Sequence, residues 1–199
     1  MSALDRLIVG FTRFPGIGPR QARRFVYFLL RESPAQVMEL AEAMIALKKE
    51  VFQCPDCQRY FTKKNGGATC TICDNGERDR NLLMLVEKDV DLETIERATI
   101  YQGHYFVLGG LLPMLEEEPG SRLRLGALER RIKKEAIAEV IIALSANLEG
   151  DHTVDFIRSW LSEKFPKIKM SVLGRGLSTG TELEYSDRDT LLYAFKNRS

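Results

Sequence analysis

Four cysteines in two identical spacings are the strongest chemical signal in this 199-residue chain. Two residues separate Cys54 from Cys57, two separate Cys70 from Cys73, and twelve lie between the pairs. Each Cys-x-x-Cys folds readily as a knuckle that presents two thiolates, and an intervening loop brings two knuckles onto one tetrahedral Zn²⁺. The chain has two histidines, His104 and His152, both far from the pairs in sequence, so four sulfurs form the natural ligand set. A redox dithiol needs only one Cys-x-x-Cys and leaves the second pair unexplained. Four thiolates leave no coordination position open for water, so the expected zinc is structural.

A second constellation reads "RFPGIGPRQARR" over residues 13–24. From residue 11 to residue 31 the chain carries five arginines (Arg13, Arg20, Arg23, Arg24, Arg31) and no Asp or Glu. A Gly16-Ile17-Gly18 turn between two helices leaves backbone N–H groups unpaired at the start of the second helix. Glycine lacks the side chain that would hold a phosphate away, and a helix N-terminus favours an anion. Arg20 and Arg24 stand four residues apart, hence on one helical face, where both can flank the same phosphate backbone. Such contacts position a protein on nucleic acid without reading sequence. The alternative is an ordinary helix connector with a solvated basic face. Together the features resemble a helix-hairpin-helix DNA-binding motif.

The third set is acidic. Glu87 follows the apolar run 82–86, and Glu149 and Asp151 follow the run 139–146. In an open parallel sheet, ligands bind outside the carboxyl ends of the strands. One acid from one strand and an acid-x-acid pair from another can converge on Mg²⁺ through oxygen ligands. This arrangement resembles the Toprim domain of topoisomerases and primases, with Glu149-Gly150-Asp151 in place of Asp-x-Asp. The competing explanation is that these acids cap helices, and Asp151 stands where it would cap the helix that follows. His152 reads as a loop histidine rather than a base. The stretch 174–180, "GRGLSTG", looks receptive to phosphate but matches neither a dinucleotide fingerprint nor a P-loop.

These groups need elements to position them. Residues 1–50 are helical in pattern. A short apolar-periodic stretch spans 3–9, and a second helix at 21–30 is announced by Gly18 and Pro19. A third runs from an N-cap at Ser33, with Pro34 first in the helix, to about 49. Residues 51–80 hold all four cysteines, with little helical periodicity, and are too few to bury a core without a staple. Beyond residue 80, apolar strands alternate with amphipathic helices, which indicates a parallel sheet covered on both faces. The expected fold class is therefore α/β: a helical hairpin domain (1–50), a four-Cys zinc module (51–80), a mostly parallel α/β domain (81–172) and a C-terminal segment with a Gly-rich loop and a helix (173–199). The basic excess is local, eight Lys/Arg against five Asp/Glu in residues 1–50 and sixteen against nineteen in 81–199. It marks the N-terminal quarter as the place to meet a polyanion. No uninterrupted apolar run approaches the ~20 residues a bilayer demands, and residues 1–14 do not read as a targeting segment. The expectation is a cytoplasmic protein without membrane contact, whose cysteines stay reduced.

The order of these parts is itself distinctive. "FPGIGPRQARR", the four-cysteine module, "YFVLGGLLPM", "NLEGDHT" and "GRGLSTGTELEYSDRDTL" resemble the RecR family of recombination mediators over essentially the whole chain. The resemblance implies a helix-hairpin-helix, a four-cysteine zinc finger, a Toprim domain and a short C-terminal segment. It also implies a homo-oligomer, a tetrameric ring that encircles DNA and works with RecO and RecF proteins to load RecA recombinase at single-stranded gaps. The family commonly has Lys where Arg20 stands and Arg at Arg24, both implicated in DNA binding. Glu87, Glu149 and Asp151 match the Toprim acids, which the family associates with partner or DNA engagement. The chain departs from the family in its lysine-rich finger loop and in "LEEEPGSRLRLGALERR", which replaces a more Gly-rich connector.

Two functions compete on this sequence. One is a non-enzymatic clamp in recombinational repair, binding single-stranded, double-stranded or gapped DNA. The other is a Toprim nuclease or primase-like enzyme using Glu87, Glu149 and Asp151 with Mg²⁺. The chain shows no separate domain to cradle a template.

Overall fold

The computed structural model describes residues 1–63, 66–114 and 122–198, grouped into two compact units that divide after Val51. Residues 64 and 65 of the lysine-rich loop and residues 115–121 of the unusual connector lie outside the described residues.

The N-terminal unit is three helices, α1 (Ala3–Thr12), α2 (Pro19–Leu29) and α3 (Pro34–Glu50). Local chemistry sets each start. Ser2 and Asp5 form a reciprocal capping box on α1, and Ser33 and Gln36 form another on α3, with Pro34 opening the helix. Gly16 takes φ +76° in the turn between α1 and α2, a conformation costly for any residue with a Cβ. The hairpin closes over Ala22 and Val26, both buried, with Phe11 edge-on to Phe25 at 5.6 Å between ring centroids. Helix α3 buries none of its side chains. Met38, Leu40, Met44, Ile45 and Leu47 are all exposed on it.

The second unit contains the cysteine module and a four-stranded sheet. Strands β1 (Val51–Gln53) and β2 (Tyr60–Thr62) pair, and the short helix α4 (Thr71–Asp74) follows. The large sheet has the order β4-β3-β5-β6, all parallel, from β3 (Asp79–Val86), β4 (Gly103–Val107), β5 (Glu139–Ala143) and β6 (Lys169–Val172). Between the strands run α5 (Asp89–Ala98), α6 (Leu125–Lys134) and α7 (Leu148–Lys164). A single 3₁₀ turn (Leu183–Tyr185) precedes the closing α8 (Arg188–Lys196). No described helix is long and apolar enough to cross a membrane.

The apolar run at residues 83–86 is buried throughout because its alternate side chains serve opposite faces. Leu83 and Leu85 join Phe106, Val140 and Ile142 under Leu128 and Ile132 of α6 and Val154, Ile157 and Leu161 of α7. Met84 and Val86 join Tyr105 and Val107 on the other face. There the cover is Leu92 of α5 together with Cys54, Cys57, Cys70 and Ile72. The cysteine module thus shares the core of the sheet, and burial there supplements whatever a staple provides.

Candidate functional site

The arginine hairpin is built by the α1–α2 turn. Gly18 is the N-cap of α2 and offers no side-chain acceptor, and Pro19 occupies the first helical position. The first-turn amides of α2 are therefore left without a capping side chain, as an anion site requires. Arg20 and Arg24 are exposed one turn apart, and neither forms a salt bridge among the described residues. Arg24 only touches Gln21, Nη1 to Oε1 at 3.3 Å. Arg23 is engaged differently. Hydrogen bonds from Ser2 hold the Asp5 carboxyl below the usual carboxylate range, and the charge of Arg23 adds to that effect, so Arg23 complements α1.

The four cysteines converge. Their sulfurs all lie within 4.8 Å of one another, with Cys57 and Cys70 at 3.5 Å. A tetrahedral ion with metal–sulfur bonds of ~2.3 Å separates its sulfurs by ~3.8 Å, so this donor set fits a metal with little adjustment. Hydrogen bonding among the thiols, first from Cys57, holds the Cys54 thiol well below its usual value. The same crowding, first from Cys54, pushes Cys73 up. The Cys70 amide faces the Cys54 sulfur at 3.4 Å.

Charged side chains fasten this cluster to the α/β unit. Asp56, inside the first knuckle, receives Lys134 at 2.8 Å and the buried Arg131 at 3.2 Å, both from α6. Arg131 also meets Glu135 at 2.9 Å, and its Nη2 lies 3.1 Å from Nδ1 of the buried His104 on β4. A guanidinium can only donate, so Nδ1 is the acceptor and the imidazole is neutral. Burial first, then the charges of Arg131, Arg78 and Arg80, depresses the His104 pKa from 6.5 to about 4. The backbone adds Val107 N–H to the Cys57 carbonyl at 2.8 Å, and Arg124 donates to the Gln58 carbonyl at 2.8 Å.

The acids sit at the carboxyl end of the sheet, in different settings. Glu87, just past β3, is buried, paired with Lys88 at 2.7 Å and accepting from the Ser145 hydroxyl at 2.9 Å. Glu149 and Asp151 belong to the first turn of α7. The expectation that Asp151 caps this helix is corrected: Asn147 is the N-cap, accepting from the Gly150 amide at 2.8 Å. The chain enters α7 earlier than its apolar periodicity indicates. For the same reason His152 is helical and half-buried, not a loop residue. Asp151 pairs with Arg175 at 2.5 Å, across 24 residues. Glu149 is exposed, and its carbonyl receives the Thr153 hydroxyl at 2.6 Å. Among the described residues the four cysteines form the one group whose ligand atoms cluster as a metal requires. Glu87 and Asp151 hold side-chain cations instead, Lys88 and Arg175.

Two positions escaped sequence reasoning. Gly150 is buried, and a Cβ there would stand 1.8 Å from the Ser145 carbonyl oxygen. Its place between two acids was the available signal. Arg175 lay inside a stretch noted only for its glycines, and nothing local ties it to Asp151.

Comparison with known proteins matches both units. The Toprim domain family matches residues 81–174, and the family described as RecR, helix-hairpin-helix, matches residues 4–48. The chain is 34% identical over 196 residues to a recombination protein RecR of Treponema pallidum, covering 98% of this chain and 94% of the relative. It is 35% identical over 199 residues to that of Legionella pneumophila, covering 100% and 98%. For Bacteroides thetaiotaomicron the identity is 37% over 196 residues, with 98% and 93% covered.

Proposed function

This chain belongs to the RecR family of recombination proteins, and from that premise we propose that it is a non-enzymatic, DNA-binding mediator of recombinational repair. The observation that carries the DNA contact is the α1–α2 hairpin. Arg20 and Arg24 are solvent-exposed without a carboxylate partner among the described residues, beside a helix start whose amides lack a cap. Gly16 and Gly18 let a phosphate approach those amides, and the two guanidinium groups flank it. Contacts of this kind bind single-stranded, double-stranded or gapped DNA without reading bases.

Zinc at Cys54, Cys57, Cys70 and Cys73 is a structural joint in this proposal. The ion would supply charge neutralisation to crowded thiolates, and Asp56 would fix the knuckle against α6. Division into 1–50, 51–80, 81–172 and 173–199 follows the same assignment of roles. Homo-oligomerisation into a tetrameric ring is supported by the apolar side chains that α3 leaves in solvent. In the ring, the α/β unit presents the exposed Glu149 and the half-exposed Asp151 to RecO and RecF, while the buried Glu87 holds the Ser145 hydroxyl, and the assembly loads RecA at gaps in the cytoplasm. The competing metal-dependent enzyme lacks comparable support, since two of its three acids already hold internal cations.

The test is the salt dependence of DNA binding, read by fluorescence anisotropy. Replacing Arg20 and Arg24 together with Ala should weaken binding and make log Kd against log salt shallower by up to ~1.8 on duplex DNA, two phosphate contacts per protomer. An unchanged slope would remove the hairpin from the interface.

A further inference from the structure

The Toprim acids pose a question that the family assignment leaves open, namely what balances their charge. Asp151 has a guanidinium on its Oδ1 at 2.5 Å, supplied by Arg175 from the loop after β6. That guanidinium is held from several sides. Its carbon lies 5.2 Å from the Tyr193 ring centre, its Nη1 is 3.4 Å from the Tyr193 hydroxyl, and Asn197 donates to the Arg175 carbonyl at 2.7 Å. Only 19% of the Arg175 side chain is exposed, against 49% for Asp151. Glu87 is paired in parallel with Lys88 and accepts the Ser145 hydroxyl.

We propose that Arg175 is the resident counter-cation of Asp151, held by α8 in the place where a divalent ion would otherwise bind, so that the Toprim acids of this chain are closed to Mg²⁺. Two consequences follow. Two of the three acids, Glu87 and Asp151, are balanced without a metal, which suits docking rather than phosphoryl transfer. Asp151 also becomes the clasp of the C-terminal segment, because Arg175, Tyr193 and Asn197 all lie in it. The inference deepens the non-enzymatic proposal and rests on it.

Its test is titration of the zinc-loaded protein with Mn²⁺, read by water-proton relaxation and calorimetry. Wild type should show no Asp151-dependent Mn²⁺ site. Arg175→Gln should gain one, with affinity raised about tenfold or more by removal of one adjacent positive charge. Arg175→Gln combined with Asp151→Asn should lose it again, and Arg175→Lys should behave as wild type. A wild-type Mn²⁺ site abolished by Asp151→Asn would overturn the proposal whether or not Arg175→Gln folds. Equal, negligible binding by wild type and a folded Arg175→Gln would overturn it too, since the guanidinium would then exclude nothing. DNA binding is read separately: an unchanged salt slope after Arg20→Ala with Arg24→Ala refutes the clamp, and the Mn²⁺ result refutes only the counter-cation.

Discussion

His104 should lower the stability of this protein in mild acid, by an amount the structure sets. The imidazole is buried on β4, and its Nδ1 accepts from Arg131, which in turn holds Asp56 of the first cysteine knuckle. Protonating Nδ1 would oppose an N–H to a guanidinium in a site closed to water. The folded pKa is about 4, against 6.5 for the free side chain. A depressed folded pKa means that the unfolded chain binds the proton first. The contribution is therefore fully present above pH 6.5, declines as pH falls, and is gone below about 4. At 1.36 kcal/mol per unit, the whole effect is ~3 kcal/mol, of which ~2 is lost by pH 5. The perturbation is a shift from pH 7.5 to 5 in wild type and in His104→Leu, with unfolding free energy measured in urea. Protonation of the cysteines and carboxylates is common to both proteins and cancels in the difference. Wild type should lose ~2 kcal/mol more than the variant over this interval. In parallel, the His104 ring in ¹⁵N-labelled protein should keep its neutral chemical shifts down to pH 5.5. Equal pH dependence of the two proteins, or a His104 midpoint near 6.5, would refute the reasoning and with it the Arg131–His104 link.

Gly150→Ala should destabilise the α/β unit by ~2 kcal/mol or more, seen as a lower Tm, because its Cβ would enter the Ser145 carbonyl at 1.8 Å. The shift should also disturb the Ser145 hydrogen bond to Glu87. Zinc should be found at one ion per chain by colorimetric assay after denaturation, and Cys57→Ala should abolish it. Chelation of the intact protein should lower its Tm and, since the cysteines pack on Met84, Val86 and Tyr105, perturb the near-ultraviolet signal of the sheet.

Much of this molecule is local chemistry and can be read residue by residue. Cys54, Cys57, Cys70 and Cys73 announce a four-sulfur cluster because two knuckles need only two-residue gaps, and the structure gathers them. Ser33, Pro34 and Gln36 start α3 through contacts three residues long, whereas Gly18-Pro19 starts α2 without a side-chain cap, through the preset backbone of Pro19 at the first helical position. The apolar run 82–86 and its helical neighbours give a parallel sheet through periodicity alone. The cap of α7 is not legible locally, because Asn147 and Asp151, four residues apart, are both capping residue types and the backbone starts the helix one turn earlier, at Asn147. Other features have no local signature. Lys134 reaches Asp56 across 78 residues, Arg131 reaches His104 across 27, and Arg175 reaches Asp151 across 24. A charged side chain looks the same in sequence whether it faces water or a partner. Sequence by itself therefore determined which groups could bind an ion or a phosphate. Only the tertiary structure decided which charges are already answered from within, because the strand order β4-β3-β5-β6 and the packing on its two faces set those distances.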